Sequence, residues 1–168
     1  MITHISSPKK VFIPLVLQLI CILASNLFFF GCNLTKTTDN HRPIIVFTFD
    51  DQHISIYDKA FPIMQEFGFP GTNFVNSGRI GNPQLMSWDQ VIELDLSYGW
   101  ETGGHTIHHS SLTTQSQDEA EYAIEADFTA LKRRGLSVKS FALPSGQCPL
   151  QYYPIITNLY QNIRGSFD

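Results

Sequence analysis

Between Pro43 and Asp168 the chain alternates between short apolar segments of strand character and longer segments with helical spacing. That alternation is the strongest constraint on the fold. Pro43 opens a first strand running to about Asp51, rich in Ile44, Ile45, Val46, Phe47 and Phe49. Ile54 to Phe67 follows with Ile56, Ala60, Ile63, Met64 and Phe67 near helical spacing, and Pro62 starts or bends that helix. Thr72–Asn76 reads as a second strand and Ser87 as the N-cap of a helix ending near Gly99. Trp100–His105 is the third strand, and Ser116 caps a helix from Gln117 to Arg134 that Gly135 stops. Val138–Leu143, a helix over Leu150–Tyr160 and a strand from Ile163 to Phe167 complete the series. Strand–helix repetition of this kind predicts an α/β domain with a largely parallel sheet.

In such sheets functional groups gather at the C-terminal ends of the strands. Three polar clusters fall at those ends here: Asp50-Asp51, His105 to His109, and Pro144-Ser145-Gly146. Gly103-Gly104 before the histidines lets the backbone come close to a neighbouring group. His105 and His109 are four apart, so one helical turn or a tight loop puts both imidazoles on one side, an arrangement suited to a divalent metal. The helical zinc-protease pattern is excluded, because Thr106 stands where its Glu belongs. Of the adjacent carboxylates, one can face a metal while its neighbour faces water. His108 reads as structural, His53 as a surface residue and Asp127 as an edge residue of an otherwise apolar helix face.

At 168 residues, with 43% hydrophobic and 15% charged residues, the chain is long and apolar enough to enclose a core. Its net charge of −4, with no basic stripe, argues against a nucleic-acid partner. Lys132-Arg133-Arg134 is the one cationic cluster, and it complements a helix C-terminus. Residues 1–32 read as an export segment: Lys9-Lys10, then an almost wholly apolar run, then Gly31-Cys32. That run is also long enough for an uncleaved membrane anchor. Phe29-Phe30-Gly31-Cys32 resembles a lipoprotein lipobox, with Cys32 as the lipidation site and Phe29 in place of the usual Leu. Residues 33–42 are a polar linker, and 43–168 the domain. Loss of Cys21 and lipidation of Cys32 leave Cys148 alone, so no disulfide framework is expected. The expected location is extracytoplasmic, on the membrane through lipid or anchor, or secreted.

Thr48-Phe49-Asp50-Asp51, His105-Thr106-Ile107-His108-His109 and Phe141-Ala142-Leu143-Pro144-Ser145-Gly146 together resemble the first three motifs of the polysaccharide deacetylases, carbohydrate esterase family four. The likeness runs from about Pro43 to Asp168. It implies a distorted (β/α) barrel with a largely parallel sheet, here incomplete at the C-terminus. It further implies metal ligation by Asp51, His105 and His109, with zinc the usual ion and cobalt, nickel or manganese alternatives. Asp50 would be the catalytic base, Pro144 and Ser145 would line the substrate and oxyanion site, and Thr106 would brace the histidine loop by hydrogen bonding. The implied reaction is hydrolysis of N-acetyl or O-acetyl groups on an extracytoplasmic glycan such as peptidoglycan or a chitin-like oligosaccharide.

Three departures qualify that expectation. Gln52 replaces the Gly that usually follows the first motif, and Ala142 replaces the Arg that usually holds the catalytic Asp. The later motifs, including the His that serves as general acid, have no counterpart after His109. A catalytically impaired glycan-binding lipoprotein, or a non-functional gene fragment, is therefore the alternative.

Overall fold

The computed structural model describes residues 43–166. The expected export segment, the lipidation site at Cys32, the linker and Phe167 lie outside the described residues.

Five strands, β1 (Thr48–Asp50), β2 (Thr72–Val75), β3 (Glu101–Gly104), β4 (Ser140–Ala142) and β5 (Asn162–Arg164), form one sheet in the order β1-β2-β3-β4-β5. Every neighbouring pair is parallel. The spatial order never reverses, so successive crossovers of one hand place the helices on the same side. A doubly wound sheet would reverse at a switch point. The result is a sector of a (β/α) barrel, the expected fold, with β1 and β5 as edges among the described residues.

The connections carry α1 (Phe61–Glu66), α2 (Trp88–Tyr98), α3 (Gln117–Arg133) and α4 (Tyr153–Leu159). Pro62 shapes the entry to α1. It has no N–H to give residue 58, and the turn before it, Ile56–Ala60, is widened to π geometry, with the Phe61 N–H reaching the Ile56 carbonyl. α2 has both ends written in its sequence: Ser87 and Gln90 form a reciprocal capping box, and Gly99 closes it at φ 71°. At α3, the Glu119 carboxylate accepts from the Ser116 N–H and hydroxyl at 3.0 and 2.8 Å. The Lys132–Arg134 cluster ends that helix as expected, and the Arg134 guanidinium also lies 4.2 Å over the Trp88 ring.

Val75, Val91, Leu94, Leu112, Ile124 and Phe141 fill the layer between sheet and helices. The opposite, concave face is lined by Thr48, Thr72, Phe74, Ser140, Asn162 and Arg164, around a cavity of about 440 Å³. No helix among the described residues is long and apolar enough to cross a membrane.

The first strand is shorter than its apolar run predicts. Ile44, Ile45 and Val46 are 88, 77 and 68% exposed and lie outside the sheet. Apolar composition makes a strand only where a neighbour offers hydrogen bonds and a layer covers it, and β1 is an edge. The fifth strand likewise starts at Asn162 and is three residues long.

Gly103-Gly104 acquires a specific meaning. A Cβ on Gly103 would fall within 2.8 Å of the Ser140 carbonyl and against the Phe74 ring; one on Gly104 would fall against the Tyr160 phenol. Two aromatic rings thus occupy the space that β3 side chains would take. Gly104→Ala is expected to destabilise the protein by about 1–3 kcal/mol through overpacking. Adding Tyr160→Phe is expected to recover part of that loss, because the phenol oxygen is the nearest atom. Urea unfolding of the single and double variants checks both outcomes.

Candidate metal centre

The site is built where β1, β2 and β3 end together. Past Asp50 the chain turns through Asp51 (φ 64°) and Gln52 (φ 40°), both in left-handed geometry. Past Gly104 it turns through Thr106 (φ 64°) and His109 (φ 60°). Non-glycine residues in this region cost about 1–3 kcal/mol each and persist only where surroundings hold them. Here the holders can be named.

Gln52 is fully buried. Its side-chain amide donates to the Asn76 carbonyl at 3.2 Å and accepts the Asn76 N–H at 2.8 Å. That pair acts as an additional rung between β1 and β2 beyond the last backbone one. It also explains how a non-glycine occupies a position with positive φ, since the side chain repays the strain with two bonds. Asn76 in turn donates through Nδ2 to the carbonyls of His105 at 2.6 Å and Thr106 at 3.1 Å. The histidine loop is therefore braced by Asn76. The expected role of Thr106 is not observed: its hydroxyl is buried without a partner, and only its carbonyl takes part.

His105 is 1% exposed. Its Nδ1–H donates to the Ala142 carbonyl at 2.8 Å, which fixes the tautomer and leaves the Nε2 lone pair free. Burial holds this imidazole below the ordinary histidine range, against the opposing pull of the Ala142 carbonyl and of Asp50 and Asp51, so the ring is neutral and able to ligate. Nε2 is buried with no hydrogen-bond partner, and the same is true of Asp51 Oδ1. The His109 Nε2 lies 3.7 Å from that Asp51 oxygen, and the two imidazole rings stand 4.8 Å apart at 65°. One ligand atom from each of Asp51, His105 and His109 lies within 4.8 Å of the other two. Two buried, unpartnered donors converging with a third fit a divalent cation.

Asp50 has a different partner. Both of its oxygens accept from one Arg164 nitrogen, at 2.7 and 2.6 Å. Arg164 was missed by motif reading, yet its register explains it: Ala142 on β4 pairs directly with Arg164 on β5. The cation expected at position 142 is supplied one strand over, at the same level of the sheet. Arg164 also lies 5.1 Å over the Phe74 ring. The available signal was an isolated Arg, two residues after Asn162, in a segment with strand spacing. A second cation, Arg79, stands 3.6 Å from Asp51 on the turn after β2.

Asp127 corrects another expectation. It lies under the sheet with no exposed surface, accepting the Ser77 N–H at 2.8 Å and the His105 N–H at 3.0 Å. Burial raises its carboxyl to about 6, against the lowering effect of those bonds. Pro144 is buried and Ser145, exposed and at φ 57°, forms the turn after β4. His108 is exposed, packed on Gly78 outside the ligand set, and His53 is a surface residue bonded to Ser55. Cys148 is a half-buried free thiol.

Against known proteins, residues 37–159 match the family model described as polysaccharide deacetylase. A poly-β-1,6-N-acetyl-D-glucosamine N-deacetylase of Staphylococcus aureus is 28% identical over 76 residues, which is 41% of this chain and 26% of that enzyme. The Streptococcus pyogenes deacetylase PplD, solved with acetate, superposes with a TM-score of 0.67 at 24% identity over 71% of this chain and 54% of that one. IcaB from Ammonifex degensii gives 0.59 at 26% identity, over 71% and 59%. The chain spans less than two thirds of the length of each of these relatives.

Titration of the metal-free protein with zinc or cobalt is expected to show one site per chain. Asp51→Ala or His109→Ala should weaken it by about 100-fold or more, since each removes a ligand from a three-residue set. Isothermal titration calorimetry checks both, and undiminished binding in either variant contradicts the assignment.

Proposed function

This chain belongs to the polysaccharide deacetylase family, and from that premise we propose that it hydrolyses acetyl groups, N-linked or O-linked, on an extracytoplasmic carbohydrate polymer. The observation that carries the reading is the separation of two adjacent carboxylates. Asp51 stands with the two imidazoles, while Asp50 beside it is held by Arg164.

Asp51, His105 and His109 would hold the ion, with zinc favoured by the two-imidazole, one-carboxylate set and cobalt, nickel or manganese as alternatives. A divalent cation bound there supplies Lewis-acid polarisation of an acyl carbonyl and acidification of water. The remaining work belongs to the protein. Asp50, oriented by the Arg164 guanidinium, takes a proton from the attacking water. The Ser145 N–H, at the turn after β4, donates to the oxygen that gains charge as the carbonyl carbon becomes tetrahedral. When the C–N bond breaks, the proton carried by Asp50 is available to the departing amine. Acetate and the free amine result.

An N-acetylated glycan, such as peptidoglycan, a chitin-like oligosaccharide or the N-acetylglucosamine polymer named for the staphylococcal relative, is the substrate class we favour. Placement outside the cytoplasm and lipid attachment through Cys32 belong to the same reading, and both rest on the sequence of residues 1–32. A second reading, a glycan-binding module without turnover, rests on Ala142 standing where the family usually has an Arg.

Acetate release from N-acetylglucosamine oligomers and from peptidoglycan fragments, with zinc or cobalt present, decides between them. Release is the expected result; a folded, metal-loaded protein that binds glycan without releasing acetate supports the second reading. Asp50→Asn is expected to lower kcat by about 10²- to 10⁴-fold while leaving metal affinity unchanged. Arg164→Met is expected to lower kcat more than it raises KM, because it disorients the base. Steady-state kinetics on the same oligomers checks both variants.

A further inference from the structure

Asp127 is a fully buried carboxylate that the proposed reaction does not use. It reaches from α3 to the ends of two strands. Its Oδ1 accepts the N–H of Ser77, two residues past the end of β2, and its Oδ2 accepts the N–H of His105, the first residue past β3. Backbone pairing between those strands stops at Val75 and Gly104. The carboxylate continues the ladder where no carbonyl is available.

The consequence falls on one side chain. His105 is fixed through its N–H by Asp127, through its carbonyl by Asn76 at 2.6 Å, and through its ring by the Ala142 carbonyl at 2.8 Å. What remains unpartnered is Nε2. The other oxygen of Asp127 anchors the turn Ser77–Arg79, whose Arg79 guanidinium lies 3.6 Å from Asp51.

We propose that Asp127 is a positioning residue for the metal centre: from beneath the sheet it fixes the His105 backbone, aims Nε2 at Asp51 and His109, and ties that geometry to the turn carrying Arg79. The proposal rests on the reading of Asp51, His105 and His109 as ligands of one cation. A carboxylate is needed because both partners are donors. An Asn amide can accept only through its oxygen, so one N–H would face its NH₂ group. An exposed acid on the same helix has no such role, and Glu125 supplies the control.

The test uses the whole chain and cobalt(II) alone. Visible ligand-field absorption reports the geometry around the ion, and chelator competition reports its affinity. Asp127→Asn is expected to weaken cobalt binding by about 10- to 100-fold, the usual range for groups that orient a ligand, and to change the shape of the ligand-field bands. Glu125→Gln, which removes the same charge from the same helix, should leave both as they are. Circular dichroism and thermal melting establish that each variant is folded. If Asp127→Asn does not fold, Asp127→Glu keeps the charge and both acceptor oxygens but displaces them by one methylene. It too is expected to alter the bands and weaken binding. A folded variant of either kind with unaltered affinity and spectrum, beside an unsubstituted protein that binds cobalt, overturns this proposal alone. Failure of the unsubstituted protein to bind cobalt overturns the metal-site reading and this proposal with it.

Discussion

A parallel sheet leaves all its strands ending on one side, and the backbone groups beyond the last rung need partners that the sheet itself does not provide. In this protein that need is met by three buried side chains. Gln52 bridges the chain after β1 to the chain after β2, Asn76 takes the carbonyls after β3, and Asp127 takes the N–H groups after β2 and β3. These bonds hold the turns at Asp51-Gln52 and Thr106 in left-handed geometry. They also leave His105 Nε2 and Asp51 Oδ1 buried, close together and without a hydrogen-bond partner. The candidate metal centre is thus a by-product of how the strand ends are closed.

The same logic divides the labour of the two carboxylates. Asp50 is the last residue of β1, and Asp51 is the first of the turn, where the backbone enters left-handed geometry. Asp50 meets Arg164 across the concave face; Asp51 meets the imidazoles. Neither carboxylate has to serve both purposes.

Much of this was legible in the sequence because it depends on local chemistry. The Ser87 N-cap, the glycines closing α2 and α3 and the strand–helix alternation follow from residue type and spacing, while the grouping of Asp51 with His105 and His109 came from the family resemblance. What sequence reading missed depends on contacts between distant elements. Ile44–Val46 have strand composition but no neighbour, so they stay outside the sheet. Asp127 breaks an apolar helix stripe, and only the third dimension shows that the two donors it serves lie beneath it. Arg164 replaces a cation expected at Ala142 because β4 and β5 align those positions side by side, which is a matter of register.

The most direct test of this account is an anomalous difference map at the zinc edge from a crystal of the zinc-loaded protein. The account predicts one strong peak per chain at about 2.0–2.2 Å from a carboxylate oxygen of Asp51 and a ring nitrogen of each of His105 and His109, with Asp50 still on Arg164 and outside the coordination sphere. A peak bound by Asp50 in place of Asp51, a peak elsewhere, or no peak at these residues would contradict it.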